Sequence, residues 1–159
     1  MPVMVLASAW NASLPPISSE ATTAGAGIDL VNLASFAILH ETGGPAFLEN
    51  AWTAAEQEDA HGSLERLAAR WAAKEAVMKA LQCGLGDLDP LDIEILTEPG
   101  GAPRVVLHRN ALAAASALGV ARWHVSLCHE EGWAAALAIA ERSSATSGST
   151  QRHEGNQDA

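Results

Sequence analysis

The chain has 159 residues, enough for one domain with its own core. Hydrophobic residues make up 48% and charged residues 18%, which excludes wholesale disorder. No apolar run reaches the roughly 18 residues that a membrane-spanning helix needs. Nineteen acids against nine bases leave a net charge of −10. That balance argues against non-specific nucleic-acid binding, which depends on Lys and Arg, and against an anionic membrane surface. Two cysteines cannot form a disulfide framework, so a reducing compartment, the cytoplasm, is expected.

Residues 1–23 show no clear period, and no Lys or Arg occurs before Arg66, so a signal peptide is not expected. This segment reads as a poorly ordered extension, partly packed through Val3, Val5 and Leu6. Ala26 to Leu33 reads as an apolar strand carrying one acid, Asp29. Ser35 to His40 reads as a short helix broken by Gly43-Gly44-Pro45. Thr53 and Glu56 form a capping-box pattern, and His61-Gly62 closes the helix that follows. Ser63 caps a long helix from Leu64 to Leu81, rich in Ala, Leu and Met and stopped by Gly84 and Gly86. Strands at Ile93–Thr97 and Arg104–His108 flank a Pro99-Gly100-Gly101 turn. Asn110 is expected to cap a short alanine-rich helix ending at Leu118. Trp123–His129 and Trp133–Ala140 form a second hairpin across Glu130-Glu131-Gly132. Residues 143–159 are polar and read as a disordered tail, leaving 24–142 as the folded domain.

The long helix carries charge where a core face is expected. Arg66, Arg70 and Lys74 follow i, i+4, i+8 and should form one basic ridge, with Glu75 and Lys79 an i, i+4 pair beside it. Two readings are open. Either the helix is partly exposed with surface ion pairs, or it builds an anion site in which a carboxylate and a divalent metal meet a phosphate. Asp29 could be the second carboxylate of such a site, or an acid at a strand edge facing water.

The strand W-H-V-S-L-C-H-E alternates, with Val125 and Leu127 on one face and His124, Ser126 and Cys128 on the other. That polar face is either solvent-exposed or the wall of a cleft. His124 and His129 fall on opposite faces, and the two cysteines lie far apart, so a zinc site is excluded. Gly84-Leu85-Gly86 is not a phosphate-binding loop, because the helix precedes it.

Three segments in order change the reading: G-I-D-L-V at Gly27–Val31, R-W-A-A-K-E-A-V-M-K-A at Arg70–Ala80, and H-V-S-L-C-H-E at His124–Glu130. Together with F-L-E-N-A-W-T-A-A-E before the long helix and G-G-A-P-R-V before the last strands, they resemble the holo-[acyl-carrier-protein] synthase family of 4′-phosphopantetheinyl transferases. The resemblance spans about residues 25–141. It implies a small α+β fold in which an antiparallel sheet packs on a long helix, with active sites at the subunit boundaries of a homotrimer. It implies transfer of the phosphopantetheine arm of coenzyme A to a serine of an apo acyl carrier protein or carrier domain, in support of fatty acid synthesis. Mg2+ would be held by Asp29 and Glu75. Lys79, Lys74 and Arg70 would contact coenzyme A phosphates. Gly101, Pro103, His124 and Ser126 would belong to the facing wall of the site, contributed by the neighbouring subunit.

The chemistry accounts for these residue types. Attack of a hydroxyl on a pyrophosphate is catalysed mainly by positioning and charge stabilisation. Lys79 is then the natural stabiliser of the leaving phosphate, and Glu75 or a metal-bound water the base. Many relatives carry arginines after the G-I-D motif that grip an acidic carrier, but here Val31 to Leu39 has none. Carrier docking would fall to Leu33, Phe36 and Leu39, or to Arg66 and Arg70. Two other functions fit the same residues: a non-catalytic coenzyme A-binding scaffold, and a metal-dependent phosphohydrolase.

Overall fold

A computed structural model describes residues 22–143. The expected N-terminal extension, up to residue 21, and the expected tail beyond residue 143 lie outside the described residues. In chain order the elements are β1 (Thr23–Asn32), α1 (Leu33–Ala51), α2 (Ala54–Ala60), α3 (Leu64–Ala80), a 3-10 turn (Pro90–Asp92), β2 (Ile93–Thr97), β3 (Pro103–Leu107), α4 (Arg109–Ala117), β4 (Val120–Glu130) and β5 (Trp133–Arg142). Strands β1, β5 and β4 form an antiparallel sheet in that order, and β2 and β3 pair separately.

The way α3 lies on the larger sheet follows from small residues. Gly27 pairs with Ala138, and Gly25 with Ala140. Ala134, Ala136, Ala138 and Ala140 of β5 are all buried. A Cβ at Gly27 would stand 2.0 Å from the Ala76 carbonyl oxygen, and one at Gly25 2.0 Å from that of Ala80. Only glycine admits the helix backbone this close. The core between α3 and the sheet includes Ala72, Ala76, Val77 and Met78, with Ile93 and Ile95 of β2 closing one side.

Element ends follow local chemistry. The Thr53 hydroxyl accepts from the Glu56 N–H while Glu56 accepts from the Thr53 N–H, completing the capping box. His61, at φ 51°, closes α2. The β4–β5 turn puts Glu131 and Gly132 at φ 43° and 83°, the two left-handed positions a tight hairpin requires. Two expectations change. The helix after β1 does not stop at His40. It kinks at Gly44 and resumes through Pro45 to Ala51, since proline is tolerated in a first helical turn. Asn110 does not cap α4. It lies inside the first turn, and its N–H is bound by Asp92 Oδ2.

Candidate active site

Asp29 shares a strand face with Gly27, so it points towards α3 one step beyond the close approach. Lys79 Nζ donates to Asp29 Oδ1 at 2.7 Å and to the Ile28 carbonyl at 3.1 Å. The expected Glu75–Lys79 pair is thus replaced by a helix-to-strand bridge. Glu75 nevertheless joins Asp29 in an open cleft of about 280 Å³, with Ser35, Leu39 and Trp71. Burial pushes the Glu75 carboxyl above the ordinary glutamate range, and the charge of Asp29 adds to this, while Lys79 and a hydrogen bond from Trp71 oppose it. Trp71 is held from behind by Trp52 and Phe47, with ring centroids 5.7 Å and 6.1 Å away.

The basic ridge does not form. Each i+4 step overshoots a full helical turn by about 40°, so the row rotates from surface to core. Arg66 is exposed, Arg70 is 7% exposed and Lys74 is fully buried. Lys74 Nζ donates to Glu56 Oε2 at 2.7 Å and to the Pro90 carbonyl at 2.9 Å. Glu56 also accepts the Ile95 N–H at 2.9 Å. Burial pushes the Lys74 ammonium down and the Glu56 carboxyl up, and their mutual attraction opposes both shifts. Lys74 therefore ties α3 to α2 and β2, and it is dropped as a phosphate contact. Arg70 donates to the carbonyls of Ile95 and Arg66, to the Thr97 hydroxyl and to Asp59. Burial raises the Asp59 carboxyl, but the hydrogen bonds of Arg70 and Thr97 outweigh it and hold that carboxyl below its usual range. Sequence reasoning missed the roles of Glu56 and Asp59. The capping box marked Glu56, but nothing local marked it as buried.

A second cleft, about 190 Å³, gathers Arg66, Arg70, Thr97, Gly101, Pro103 and His129. His124 and Ser126 are not in it. They lie on the outer face of the sheet, in the rows Ala26–Ile139–His124 and Ile28–Leu137–Ser126. Ile28, Leu30 and Leu137 on this face are 67%, 60% and 43% exposed. In a single chain Asp29 and Glu75 line one cleft, Arg70, Gly101 and Pro103 line another, His124 and Ser126 lie on the bare sheet face, and Lys74 is buried in the core.

Asp29 and Glu75 fit a hard divalent cation. Both are oxygen donors on one cleft, and a cation would offset both the burial of Glu75, the main cause of its raised carboxyl, and the smaller contribution of the Asp29 charge. Among the described residues no cluster of three or more His, Cys, Asp or Glu could hold a metal. A two-carboxylate set leaves the remaining positions to water and phosphate oxygens, the usual arrangement for Mg2+.

The sequence matches the 4′-phosphopantetheinyl transferase superfamily over residues 25–138. It is 42% identical over 118 residues to a holo-[acyl-carrier-protein] synthase of Beutenbergia cavernae, covering 74% of this chain and 97% of that protein. The fold resembles that of the Helicobacter pylori holo-[acyl-carrier-protein] synthase solved with coenzyme A, with a TM-score of 0.66 at 28% identity over 72% of this chain and 98% of the other. The acyl carrier protein synthase of Mycobacterium tuberculosis is 40% identical, with a TM-score of 0.58 over 76% of this chain and 99% of the other. The chain belongs to the 4′-phosphopantetheinyl transferase superfamily, with the fold of its holo-[acyl-carrier-protein] synthases.

Proposed function

We propose that this chain transfers the 4′-phosphopantetheine arm of coenzyme A to a serine of an apo carrier protein in the cytoplasm, releasing adenosine 3′,5′-bisphosphate and supporting fatty acid synthesis. The observation that carries this reading is that Asp29 and Glu75 line one cleft, with Lys79 bonded to Asp29, beside the close approach of α3 to β1 at Gly27. In the reaction a serine oxygen bonds to the β-phosphorus of coenzyme A. The bond from that phosphorus to the bridging oxygen breaks, and adenosine bisphosphate leaves with the electron pair. Asp29 and Glu75 would hold Mg2+, which when bound supplies charge neutralisation on the pyrophosphate. Lys79, half exposed beside Asp29, is placed to stabilise the leaving oxygen. The serine proton would pass to Glu75 or to a metal-bound water.

The coenzyme needs a second wall, and the bare sheet face supplies the reason for one. Three large apolar side chains exposed on one sheet face mark an association surface. We assign this face to a homotrimer contact that carries His124 and Ser126 towards a neighbour's Asp29–Glu75 cleft. The Arg66–Gly101–Pro103 cleft would meet the rest of the nucleotide. Arg70 then acts by shaping that cleft, since its donors are already engaged within the chain. Chromatographic detection of adenosine 3′,5′-bisphosphate tests the reading. Release that requires an apo carrier and matches the carrier modified supports it. Release without a carrier would indicate a phosphohydrolase, and coenzyme A binding without release would indicate a scaffold.

A further inference from the structure

A third cavity, about 520 Å³, opens where the end of α1, the start of α2, β2 and the start of α4 meet. Its volume falls within the roughly 300–1,000 Å³ of small-molecule sites. It shares no lining residue with the Asp29–Glu75 cleft or the Arg66–Gly101 cleft. Part of its wall is Trp52, which is 1% exposed. The Trp52 indole Nε1 is the one buried side-chain polar atom without a partner among the described residues. Such atoms are rare, because an unsatisfied buried donor forfeits its bond to water. The indole is held by Phe36, Phe47 and Trp71, with ring centroids 5.9, 5.2 and 5.7 Å away. Phe36, expected on a docking surface, is buried in this cluster.

The charged groups of the cavity are of both signs and incompletely paired. Glu94 Oε1 accepts from the Thr53 hydroxyl at 2.6 Å, but Oε2 lies 3.4 Å from His108 Nε2, beyond the usual hydrogen-bond range. Glu49 is exposed at the end of α1. Arg109 sits at φ 38°, a left-handed conformation unusual for so large a residue. Its Nε donates to Asp92 Oδ1, while its terminal nitrogens carry no hydrogen bond among the described residues. Metal binding does not account for the set, since no three His, Cys, Asp or Glu among the described residues converge on one point.

We propose that this cavity binds a small zwitterion, a molecule carrying one ammonium and one carboxylate. Glu49 and Glu94 take the ammonium. Arg109 and His108 take the carboxylate, and the Trp52 N–H gains an oxygen acceptor. A simple anion would meet the two glutamates and a simple cation the arginine, so each alone is disfavoured. The inference stands apart from the transfer chemistry and does not rest on it.

The test titrates the full chain by calorimetry with probes of one carbon skeleton: α-aminopentanoate, ω-aminopentanoate, pentylammonium and pentanoate. At least one aminopentanoate should bind with a Kd of about 1 mM or tighter, and about tenfold or more tighter than either singly charged probe. Glu49→Gln is an exposed change, and Glu94→Gln can keep the Thr53 bond. Each should weaken the aminopentanoate about fivefold or more, while pentanoate gains affinity. Arg109→Lys, which keeps a cation for Asp92 but lacks the planar fork, should weaken it as well. In proton–nitrogen spectra, the indole resonance absent from Trp52→Phe identifies Trp52 in the wild type. That resonance should move downfield on titration, as an N–H does on gaining an acceptor. No binding of either aminopentanoate at about 20 mM would overturn the proposal. So would equal binding of a singly charged probe, a stationary Trp52 resonance, or unchanged affinity in both glutamine variants. Phosphopantetheinyl transfer, measured separately, is untouched by any of these outcomes.

Discussion

Lys79 Nζ lies 2.7 Å from Asp29 Oδ1, joining the last turn of α3 to β1 across fifty positions of sequence. Gly27, two residues before Asp29, fixes how closely the helix approaches, and Glu75 sits one residue before the helix carbonyl that Gly27 meets. The same backbone contact that packs the core therefore sets the separation of the two carboxylates.

That coupling is testable at Gly27. Gly27→Ala would place a methyl 2.0 Å from the Ala76 carbonyl oxygen, so α3 must move away from β1. Overpacking of this kind costs about 2–3 kcal/mol, read from denaturant unfolding. Transfer should fall further than stability predicts, by more than about tenfold at a temperature where the variant is still folded, because the carboxylates separate.

Glu75 should be destabilising to the fold at neutral pH in the absence of metal. Its folded carboxyl is raised above 4.5, so its favourable contribution is complete below the unfolded value and is lost as pH rises through the raised one. Glu75→Gln should therefore raise Tm at pH 7.5 by roughly 1–3 °C, with the gain disappearing near pH 4. The same variant should lose metal-dependent transfer by two or more orders of magnitude, on the order of 3 kcal/mol.

Lys74 should matter to folding and not to coenzyme binding. Lys74→Met leaves Glu56 buried without its cation, a loss of about 3–5 kcal/mol. Replacing both partners, Glu56→Leu with Lys74→Met, should be less harmful than the single change, because no uncompensated charge remains. Urea unfolding measures both, and calorimetry should show coenzyme A binding unchanged in whichever variant stays folded.

The bare sheet face gives a prediction about assembly. The wild-type chain should scatter light as a trimer, and Leu137→Glu, which places a carboxylate in the middle of that face, should scatter as a monomer. The monomer should keep its far-ultraviolet circular dichroism and lose transfer, since His124 and Ser126 would no longer reach a second subunit's cleft.

What was legible in the sequence was whatever local chemistry controls. The hairpin at β4–β5 is written in alternation and a Glu-Gly turn, α3 in its Ser63 cap, and α2 in the Thr53–Glu56 box. Asp29 stood out as an acid on an apolar strand and Glu75 as a carboxylate among cations, and the motif order joined them. What failed to show depends on distant partners. Lys74 looks like a surface base until Glu56, eighteen positions earlier, and the Pro90 carbonyl are brought to it. A ridge drawn at four-residue steps ignores the rotation that carries Arg70 and Lys74 inward. The continuation of α1 past Gly44 was hidden because Gly-Gly-Pro reads as a stop, although proline opens a new helical turn there.

The most direct test is intact-mass spectrometry of an apo carrier protein incubated with this chain and coenzyme A, with Mg2+ or with EDTA, alongside Asp29→Asn and Glu75→Gln. The account predicts one phosphopantetheine gained per carrier, mapped to a serine, only with Mg2+ and only with both carboxylates intact. Equal mass gain in EDTA, or near-normal transfer by either variant, would contradict it.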